Sequence, residues 1–430
     1  MRNLLTDDAP HLLLHGYDFA ERIWARVAPG SRSAPLRLLG EDALLVRGPD
    51  GVDLFYDESR IARHAAMPAI VQETLFGHGS VHSLDGADHR HRKAAFVHAA
   101  YEDAQVRRLT PLLEHAWQTE LSAWVSGERR TAYDAAVGAF GRAVMRWAGL
   151  PGTDAARTRW SHRLAKIVDG FGAPYSPAFV ATVVNRRWSD RHAARLIEAV
   201  RNGRLSPDEG EALAIWAGHR DREGRLLPAR RAGVELQNCL RPMIAVARFV
   251  AFAGRQLREQ PEWRERIREE ASLRGTLADG PIATAFAQEV RRTALFVPML
   301  PGRALTDIEF DGQRLAKGRR VLLDILGTDL DEQSWSDPAR FDPRRFLNRP
   351  DYEALRAFVP HGGASVTEGH RCPGEKLAVA GLAIAVAALS DSRLDISSTG
   401  LDVNRRRLPT MPRSGVHVRV AGAARCPMHR

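Results

Sequence analysis

The chain has 430 residues and a mass of 47.6 kDa, with 44% hydrophobic and 27% charged residues. This composition is typical of a globular protein and excludes a disordered or fibrous chain. Sixty-two basic residues against 52 acidic ones give a net charge of +10, yet only four of the basic residues are lysines. Because the arginines are spread along the chain, we interpret the charge as an arginine-rich surface and expect no nucleic-acid partner.

The sequence favours a cytoplasmic location without a membrane span. The chain contains three cysteines: Cys239, Cys372 and Cys426. They are too few and too scattered for a disulfide framework, which indicates a reducing compartment. Asp7 and Asp8 lie where a signal peptide would need an uninterrupted apolar core. The most apolar run, residues 377–389, is shorter than the ~20 residues that span a bilayer.

The first two thirds of the chain contain a short β-rich segment followed by a long helical region. Residues 35–56 show short apolar runs broken by Gly and by Pro-Asp-Gly, which predicts a hairpin or small sheet. Residues 104–273 carry apolar residues at every third or fourth position, which is typical of helices. Residues 283–295 predict one further helix that ends before Pro298.

The last third returns to strands and irregular structure before a final helix. In residues 303–326, apolar and polar side chains alternate on both sides of a turn at Asp311 and Gly312. This pattern predicts short strands. An irregular stretch rich in Pro and Trp covers residues 334–346, and a Gly-rich loop covers 362–369. An apolar helix over 373–389 follows, with strands near the C-terminus. We find no linker composition, so we predict a single catalytic domain, 1–430, that is mainly α with minor β.

Cys372 is the first residue that suggests chemistry. It lies in the segment GHRCPGEKLAVAGL, directly before the apolar helix. Free N–H groups and the helix dipole stabilise a thiolate at such a position, and we expect the neighbouring Arg371 to lower the thiol pKa further. A single thiolate without partner cysteines does not suit zinc or an iron–sulfur cluster, whereas haem iron needs only one.

A second motif precedes Cys372 in the chain. Glu289 and Arg292, in the sequence EVRR, are three residues apart on the predicted 283–295 helix and can form an ion pair. Such pairs are common, so the evidence lies in the order of segments. EVRR is followed by strands, by the sequence FDPRRF, by the Gly-rich loop and finally by Cys372.

This order resembles that of the cytochrome P-450 haem-thiolate enzymes, and more closely that of their bacterial fatty-acid peroxygenase branch. The resembling segments are 55–93, 235–254, 289–292, 317–335 and 369–375. The resemblance implies the triangular, mainly helical fold of that superfamily. It also implies haem b between the long central helix and the cysteine loop, with Cys372 as the axial ligand and the metal-binding residue.

The resemblance assigns the substrate site to Arg241 and Pro242. The central helix has the sequence NCLRPMIAVARF and lacks the acid–alcohol pair of an ordinary monooxygenase of the superfamily. The resemblance implies that Arg241 binds the carboxylate of a fatty acid, which then assists cleavage of the O–O bond of hydrogen peroxide. The implied products are α- or β-hydroxy acids and, by decarboxylation, terminal alkenes. No redox partner would be required.

Further positions follow from the same resemblance. His82 matches a position over the haem face, where a histidine resembles alkene-forming members. Leu75 and Phe76 are expected to pack against His82 or to line the pocket. Phe171 matches a pocket-lining aromatic residue. Thr293 stands where relatives commonly carry an aromatic residue, a departure that is expected to widen the pocket.

Charged residues near the cysteine and on an earlier helix are expected to bind the cofactor. His89 and Lys93 are four residues apart and would share a helix face. By resemblance to the propionate-binding helix of the superfamily, these two residues and Arg92 are expected to meet the haem carboxylates. Arg371, beside the axial ligand, is the fourth residue of this predicted set.

Three alternatives remain open at the level of sequence. The first is a conventional monooxygenase that needs oxygen, NADPH and a reductase, and the missing acid–alcohol pair counts against it. The second is a haem-binding sensor or carrier without catalysis, in which Arg241 would have no purpose. The third is a basic nucleic-acid-binding protein, which rests on the net charge alone.

Overall fold

The computed structural model describes residues 7–172 and 176–422, so Cys426 lies outside the described residues. Helices make up most of it. Their bounds are α1 (Ala9–His15), α2 (Asp18–Trp24), α3 (Gly48–Tyr56), α4 (Ala69–Val71), α5 (Gly86–Ala100), α6 (Asp103–Val125), α7 (Ala132–Trp147), α8 (Asp154–Gly170), α9 (Pro177–Arg201), α10 (Ala212–Gly218), α11 (Ala229–Ala245), α12 (Ala247–Glu259), α13 (Pro261–Arg274), α14 (Pro281–Thr293), α15 (Ile325–Asp329) and α16 (Glu375–Leu389).

The strands form small sheets at the edge of the helical body. Their bounds are β1 (Ser33–Leu38), β2 (Glu41–Val46), β3 (Ile61–Ala62), β4 (Arg130–Thr131), β5 (Met299–Ala304), β6 (Ile308–Phe310), β7 (Gln313–Leu315), β8 (Arg320–Asp324), β9 (Leu394–Ile396) and β10 (His417–Val420). The main sheet has the order β1-β2-β8-β5-β3, in which β2 and β8 are parallel and the other pairs antiparallel. The strands predicted within 303–326 and near the C-terminus are confirmed, and so is the mainly α class.

One predicted strand region is partly wrong. The hairpin expected over 35–56 ends at Val46, and the rest of the segment forms α3. Pro49 lies in the first turn of α3, where proline fits because its missing N–H would have no helical partner. Val52 and Phe55, three residues apart, are buried against the sheet. The Gly-Pro-Asp sequence therefore begins a helix instead of making a hairpin turn.

The helical body is built around α11, α9 and α16. Side chains at the starts of α7 and α8 cap these helices, since Thr131 accepts a hydrogen bond from Asp134 N and Thr153 accepts one from Ala156 N. Gly233 lets α11 approach α9 closely, because a Cβ atom at this position would lie 2.8 Å from the backbone nitrogen of Ala194. The apolar helix α16 is buried along most of its length.

The central helix is interrupted after its proline. Pro242 lies inside α11, which ends at Ala245, and α12 begins two residues later. Proline cannot donate a backbone hydrogen bond to the preceding turn, and its ring bends the helix there. Pro242 and Ala245 keep accessible surface in a segment that is otherwise buried. Within the described ranges, no helix has both the length and the apolar composition needed to cross a membrane.

Candidate active site

The Cys372 loop is fixed by backbone and charged contacts. Cys372 N donates to the carbonyl of His361 over 3.0 Å, and α16 begins three residues later. Glu375, fully buried at the start of α16, accepts a hydrogen bond from Arg371 Nε over 2.8 Å and pairs with Arg291. Burial alone would raise the pKa of Glu375, but the two guanidiniums hold it at about 2. The residues behind Cys372 therefore form a rigid, charged support.

The structure contradicts the expectation that Arg371 lowers the pKa of the Cys372 thiol. Burial raises the pKa of the Cys372 thiol, and Lys93 is the main cation that opposes this rise. The prediction that Arg371 lowers the thiol pKa does not hold, because its guanidinium is taken up by Glu375 and by the carbonyl of Glu353. Lys93 Nζ donates to the carbonyl of Arg371, which places this ammonium beside the loop.

Polar groups next to the loop fit the carboxylates of a haem. The rings of His89 and His370 stack with centroids 3.8 Å apart. His89 Nδ1, Tyr56 Oη and Arg63 Nη1 are buried without hydrogen-bond partners. Burial, the neighbouring His370 and Lys93 lower the pKa of His89 to about 3, so it is neutral and can donate one hydrogen bond. Unsatisfied buried donors of this kind need an acceptor, which a haem carboxylate would supply.

Arg92 has a different environment from its two helix neighbours. Its Nη1 donates to the carbonyl of Gly79 over 2.8 Å and to Glu235 Oε1 over 3.2 Å. Both partners lie on the side of the central helix α11. The structure thus places His89 and Lys93 beside the Cys372 loop and gives Arg92 protein partners elsewhere.

Arg241 is buried in α11 with part of its hydrogen-bonding capacity unused. The residue is 3% exposed. Its Nη2 donates to Asn238 Oδ1 over 2.8 Å, whereas Nη1 has no hydrogen-bond partner. Burial and the positive charge of Arg186 lower the pKa of Arg241 to about 9, so the guanidinium stays charged at neutral pH. A buried guanidinium held by a neutral amide is suited to bind an anion.

Two residues that the sequence analysis missed hold Arg241 in place. Glu235 Oε2 accepts a hydrogen bond from Asn238 Nδ2 over 2.9 Å, so Glu235, Asn238 and Arg241 form a stripe along one side of α11. Glu235 Oε1 accepts another from the backbone nitrogen of Val81 over 2.8 Å. The same carboxylate therefore positions both Arg241 and the segment that carries His82. The spacing of three residues in ELQNCLR could have suggested this stripe.

His82 and Phe76 lie together near Arg241. Their rings stack with centroids 4.0 Å apart, and the Arg241 guanidinium carbon lies 5.9 Å from the Phe76 ring centre. His82 has accessible surface, although protein atoms surround its ring. Burial by these atoms is the main cause that lowers its pKa well below the usual value, and the positive charge of Arg241 is the second. The expected packing of Phe76 against His82 is confirmed. Leu75 contributes its carbonyl, which accepts from Arg186 Nη1 over 3.3 Å.

The structure also places the predicted residues Phe171 and Thr293 and the predicted ion pair on α14. Phe171 directly follows α8 and is half-buried. Thr293 ends α14, and its hydroxyl donates to the carbonyl of Glu289 over 2.9 Å. The ion pair of Glu289 and Arg292 is fully buried, with Oε1 and Nη2 2.6 Å apart, and Glu289 Oε1 also accepts from Asp342 N over 2.8 Å. This pair connects α14 to the irregular stretch before the cysteine loop.

These features define a haem-thiolate protein with a buried cation in its pocket. One cysteine lies before a helix, unsatisfied donors lie beside its loop, and a buried ion pair supports the segment in between. The sequence profile of the cytochrome P450 family matches residues 253–389. The protein named cytochrome P450 132 in Mycobacterium bovis is 33% identical over 137 residues, which are 31% of this chain and 29% of that protein. The chain thus spans less than a third of the length of this relative.

Solved structures match nearly the whole chain. Cytochrome P450SP alpha (CYP152B1) in complex with (R)-ibuprofen is 34% identical with a TM-score of 0.88, covering 97% of this chain and 100% of that one. Cytochrome P450EX alpha (CYP152N1) with myristic acid is 31% identical with a TM-score of 0.85, covering 96% and 97%. A variant of cytochrome P450 OleT with arachidonic acid is 28% identical with a TM-score of 0.88, covering 96% of both chains.

The chain belongs to the cytochrome P450 family. The structures that it matches are of the CYP152 type. The cofactor of this family is haem b with a cysteine thiolate as the axial ligand, and Cys372 lies within the matched residues 253–389.

Proposed function

We propose that this protein is a hydrogen-peroxide-dependent peroxygenase of fatty acids, which it hydroxylates at the α or β carbon and decarboxylates to terminal alkenes. The observation that carries the proposal is the buried Arg241, whose Nη1 has no hydrogen-bond partner within residues 7–172 and 176–422. The ligands named for the three matched structures, ibuprofen, myristic acid and arachidonic acid, are all carboxylic acids. A carboxylate is the anion that would satisfy this guanidinium.

The cofactor is held by the residues around the cysteine loop. Cys372 would hold the haem iron through its thiolate, and His89, Lys93 and the unpaired donors of Tyr56 and Arg63 would hold the haem carboxylates. The bound haem supplies the activation of hydrogen peroxide and the transfer of one oxygen atom to the substrate. Arg371 supports the loop through Glu375.

The protein's own residues fix where oxidation takes place. Arg241 binds the substrate carboxylate through two N–H groups, one of which is free and one of which is shared with Asn238. A carboxylate fixed at this point places the α and β hydrogens, rather than the distal chain, next to the reacting centre. The carboxylate also supplies the acid–base group that residues 241–245 of α11 lack, because it can take a proton from hydrogen peroxide and return it to the oxygen atom that leaves as water.

The remaining side chains shape the pocket. His82 is neutral because its pKa is low, so it donates or accepts a hydrogen bond without adding charge. Phe76 packs against it, and Leu75, Phe171, Pro242 and Thr293 line the space for the acyl chain. Because the substrate provides the acid–base group and peroxide the oxidant, the reaction needs no redox partner. The whole chain then works as one catalytic domain, in the cytoplasm.

The direct test is turnover with peroxide alone. The purified holoenzyme is incubated with myristic acid and hydrogen peroxide, without reductase, and the products are identified by mass spectrometry. We expect α- or β-hydroxymyristic acid together with the one-carbon-shorter terminal alkene. The Arg241→Gln variant removes the charge but keeps a polar side chain of similar length, and it should lose most turnover while retaining haem. Turnover by wild-type protein only when a reductase and NADPH are added would contradict the proposal.

The identity of the axial ligand has its own test. Cys372→Ala should abolish the thiolate-type spectrum of the ferrous–CO complex, because no second thiolate lies in the loop. Cys239→Ala is the matched control, since this buried thiol only accepts a hydrogen bond from Trp216 Nε1 over 3.2 Å. An unchanged spectrum in the Cys372 variant would mean that the ligand is misassigned.

A further inference from the structure

A second buried arginine lies beside the pocket on α9. Arg186 is 4% exposed, and its Nη1 donates to the Leu75 carbonyl over 3.3 Å. Among the described residues its Nε has no hydrogen-bond partner, and its Nη2 forms an ion pair with Asp190 Oδ1 that lacks hydrogen-bond geometry. Leu75 directly precedes Phe76, which contacts His82 and Arg241. Arg186 therefore reaches, from another helix, the same segment that lines the substrate site.

The charges around the two arginines do not balance. Asp190 is the carboxylate that contacts Arg186, with Oδ1 2.7 Å from Nη2, and this oxygen also accepts from Gln237 Nε2 over 2.9 Å. Glu235 already pairs with Arg92. Asp190 contacts Arg186 and influences Arg241 only through space, so among the described residues named here one carboxylate offsets two guanidiniums and one positive charge is in excess. An uncompensated buried charge is costly unless an anion joins it.

Packing prevents Arg186 from relieving this imbalance by swinging outward. Gly77 has a φ of 95°, and a Cβ atom at this position would overlap the Arg186 guanidinium and lie 2.7 Å from Val234 Cγ1. The guanidinium therefore lies directly against the backbone of the loop that carries Leu75 and Phe76. The excess charge is held in place by the fold.

We infer that Arg186 is a specificity-determining residue whose positive charge, together with that of Arg241, makes the pocket select ionised carboxylic acids over neutral molecules of the same chain length. Asp190 has the opposite effect, because its negative charge offsets part of the attraction. Arg241 contacts the carboxylate, and Arg186, which is buried like Arg241, acts through the electrostatic field of its charge. This inference rests on the proposed function, since it assumes that Arg241 binds the carboxylate.

The experiment compares an acid with a neutral analogue in the holoenzyme. Dissociation constants for myristic acid and for 1-tetradecanol are measured by the shift of the haem Soret band. Arg186→Gln should weaken myristate binding about tenfold, equivalent to ~1.4 kcal/mol, and leave 1-tetradecanol binding unchanged. Asp190→Asn should tighten myristate binding by a similar factor, because it removes the opposing charge while its amide oxygen can still accept from Gln237. Opposite effects of two neighbouring variants cannot come from general damage to the fold.

Two further variants separate charge from shape. Arg186→Lys keeps the charge and should bind myristate within about threefold of wild-type protein, since only hydrogen-bond geometry is lost. Arg187→Gln is the matched control, because Arg187 is the next residue of α9 and is exposed. It should behave as wild type. Melting temperatures of all variants verify that each one is folded.

The outcomes distinguish this inference from the proposed function. If Arg186→Gln and Asp190→Asn both weaken the binding of acid and alcohol alike, Arg186 is only structural and the inference is overturned. The inference also fails alone if Arg241→Gln abolishes myristate binding while both α9 variants match wild type. If wild-type protein does not prefer myristate to 1-tetradecanol, or if Arg241→Gln binds myristate normally, the proposed function itself fails.

Discussion

The partner of Arg241 is an amide, and this choice of residue decides what the pocket can bind. Asn238 Oδ1 accepts from Arg241 without neutralising it, and Glu235 orients the amide through its other end. A carboxylate at position 238 would pair with the guanidinium and compete with the substrate. The neutral amide therefore positions the cation and leaves its charge for the ligand.

The neutral amide of Asn238 can be tested by exchanging its side-chain nitrogen for an oxygen. Asn238→Asp keeps the size of the side chain but adds a negative charge beside Arg241 and Glu235. We expect the dissociation constant for myristic acid to rise at least about tenfold, because the new carboxylate neutralises the anchor. Soret titration of the holoenzyme measures it. Asn202→Asp, an exposed position at the end of α9, is the control and should bind normally. If both variants bind myristic acid with equal affinity, the neutral amide of Asn238 does not control substrate binding.

His82 offers a prediction about pH. Burial and the charge of Arg241 lower the pKa of His82 well below its usual value, so His82 is neutral in the range from pH 7 to pH 8. The ratio of alkene to hydroxy acid should therefore stay constant across this range. His82→Gln should move the ratio toward hydroxylation and leave it equally independent of pH. A ratio that changes with pH in wild-type protein, but not in His82→Gln, would show that the histidine titrates during turnover.

At the scale of elements, a buried ion pair within α14 also contacts the stretch before the cysteine loop, through Asp342 N and Arg345 on Glu289. Glu289 accepts from Arg292 and from the backbone nitrogen of Asp342, and all its oxygens are buried. Removing one partner of such a pair leaves a buried charge without compensation, which costs ~3–5 kcal/mol. Glu289→Gln should therefore lower the free energy of unfolding strongly and weaken haem retention.

The chain contains a matched control for this prediction. Glu265 and Arg268 in α13 have the same spacing of three residues but lie on the surface. Exposed pairs contribute little because water screens them, so Glu265→Gln should unfold like wild-type protein. Urea denaturation followed by circular dichroism and by the haem absorbance gives both stabilities. If the two variants lose similar stability, the buried pair is not what connects α14 to the loop.

The sequence predicts elements best where the apolar period is long and regular. The helices α14 and α16 and the strands within 303–326 agree with the structure because their patterns repeat over several residues. The segment that became α3 was assigned to β-structure because Gly-Pro-Asp suits both a turn and a helix start. Arg241 is identified through the family resemblance of the segment NCLRPMIAVARF, and Glu289 through the motif EVRR and the order of the segments after it. Arg186 was not, since only the packing of α9 against α11 and the loop brings it to the pocket.

At the scale of the whole molecule, many of the basic residues are paired with carboxylates of the protein, and a net charge of +10 remains. Many arginines are bound to nearby carboxylates, as Arg225 is to Asp221 and Glu223, both at 3.0 Å. Others are buried, including Arg186 and Arg241. The net charge of +10 therefore belongs to a chain in which many exposed arginines lie beside carboxylates.

A basic protein of this kind should bind nucleic acid weakly and only through general electrostatics. We expect a dissociation constant of roughly 10⁻⁵ M or weaker for a 20-base-pair DNA duplex at 150 mM salt, in the range of non-specific binding. Fluorescence anisotropy measures it, with myristic acid as a second ligand in the same samples. Because the pocket is internal, DNA should not displace the fatty acid and the Soret shift should persist. Nanomolar DNA affinity, or release of the fatty acid by DNA, would mean that the charge of this protein serves a nucleic-acid partner after all.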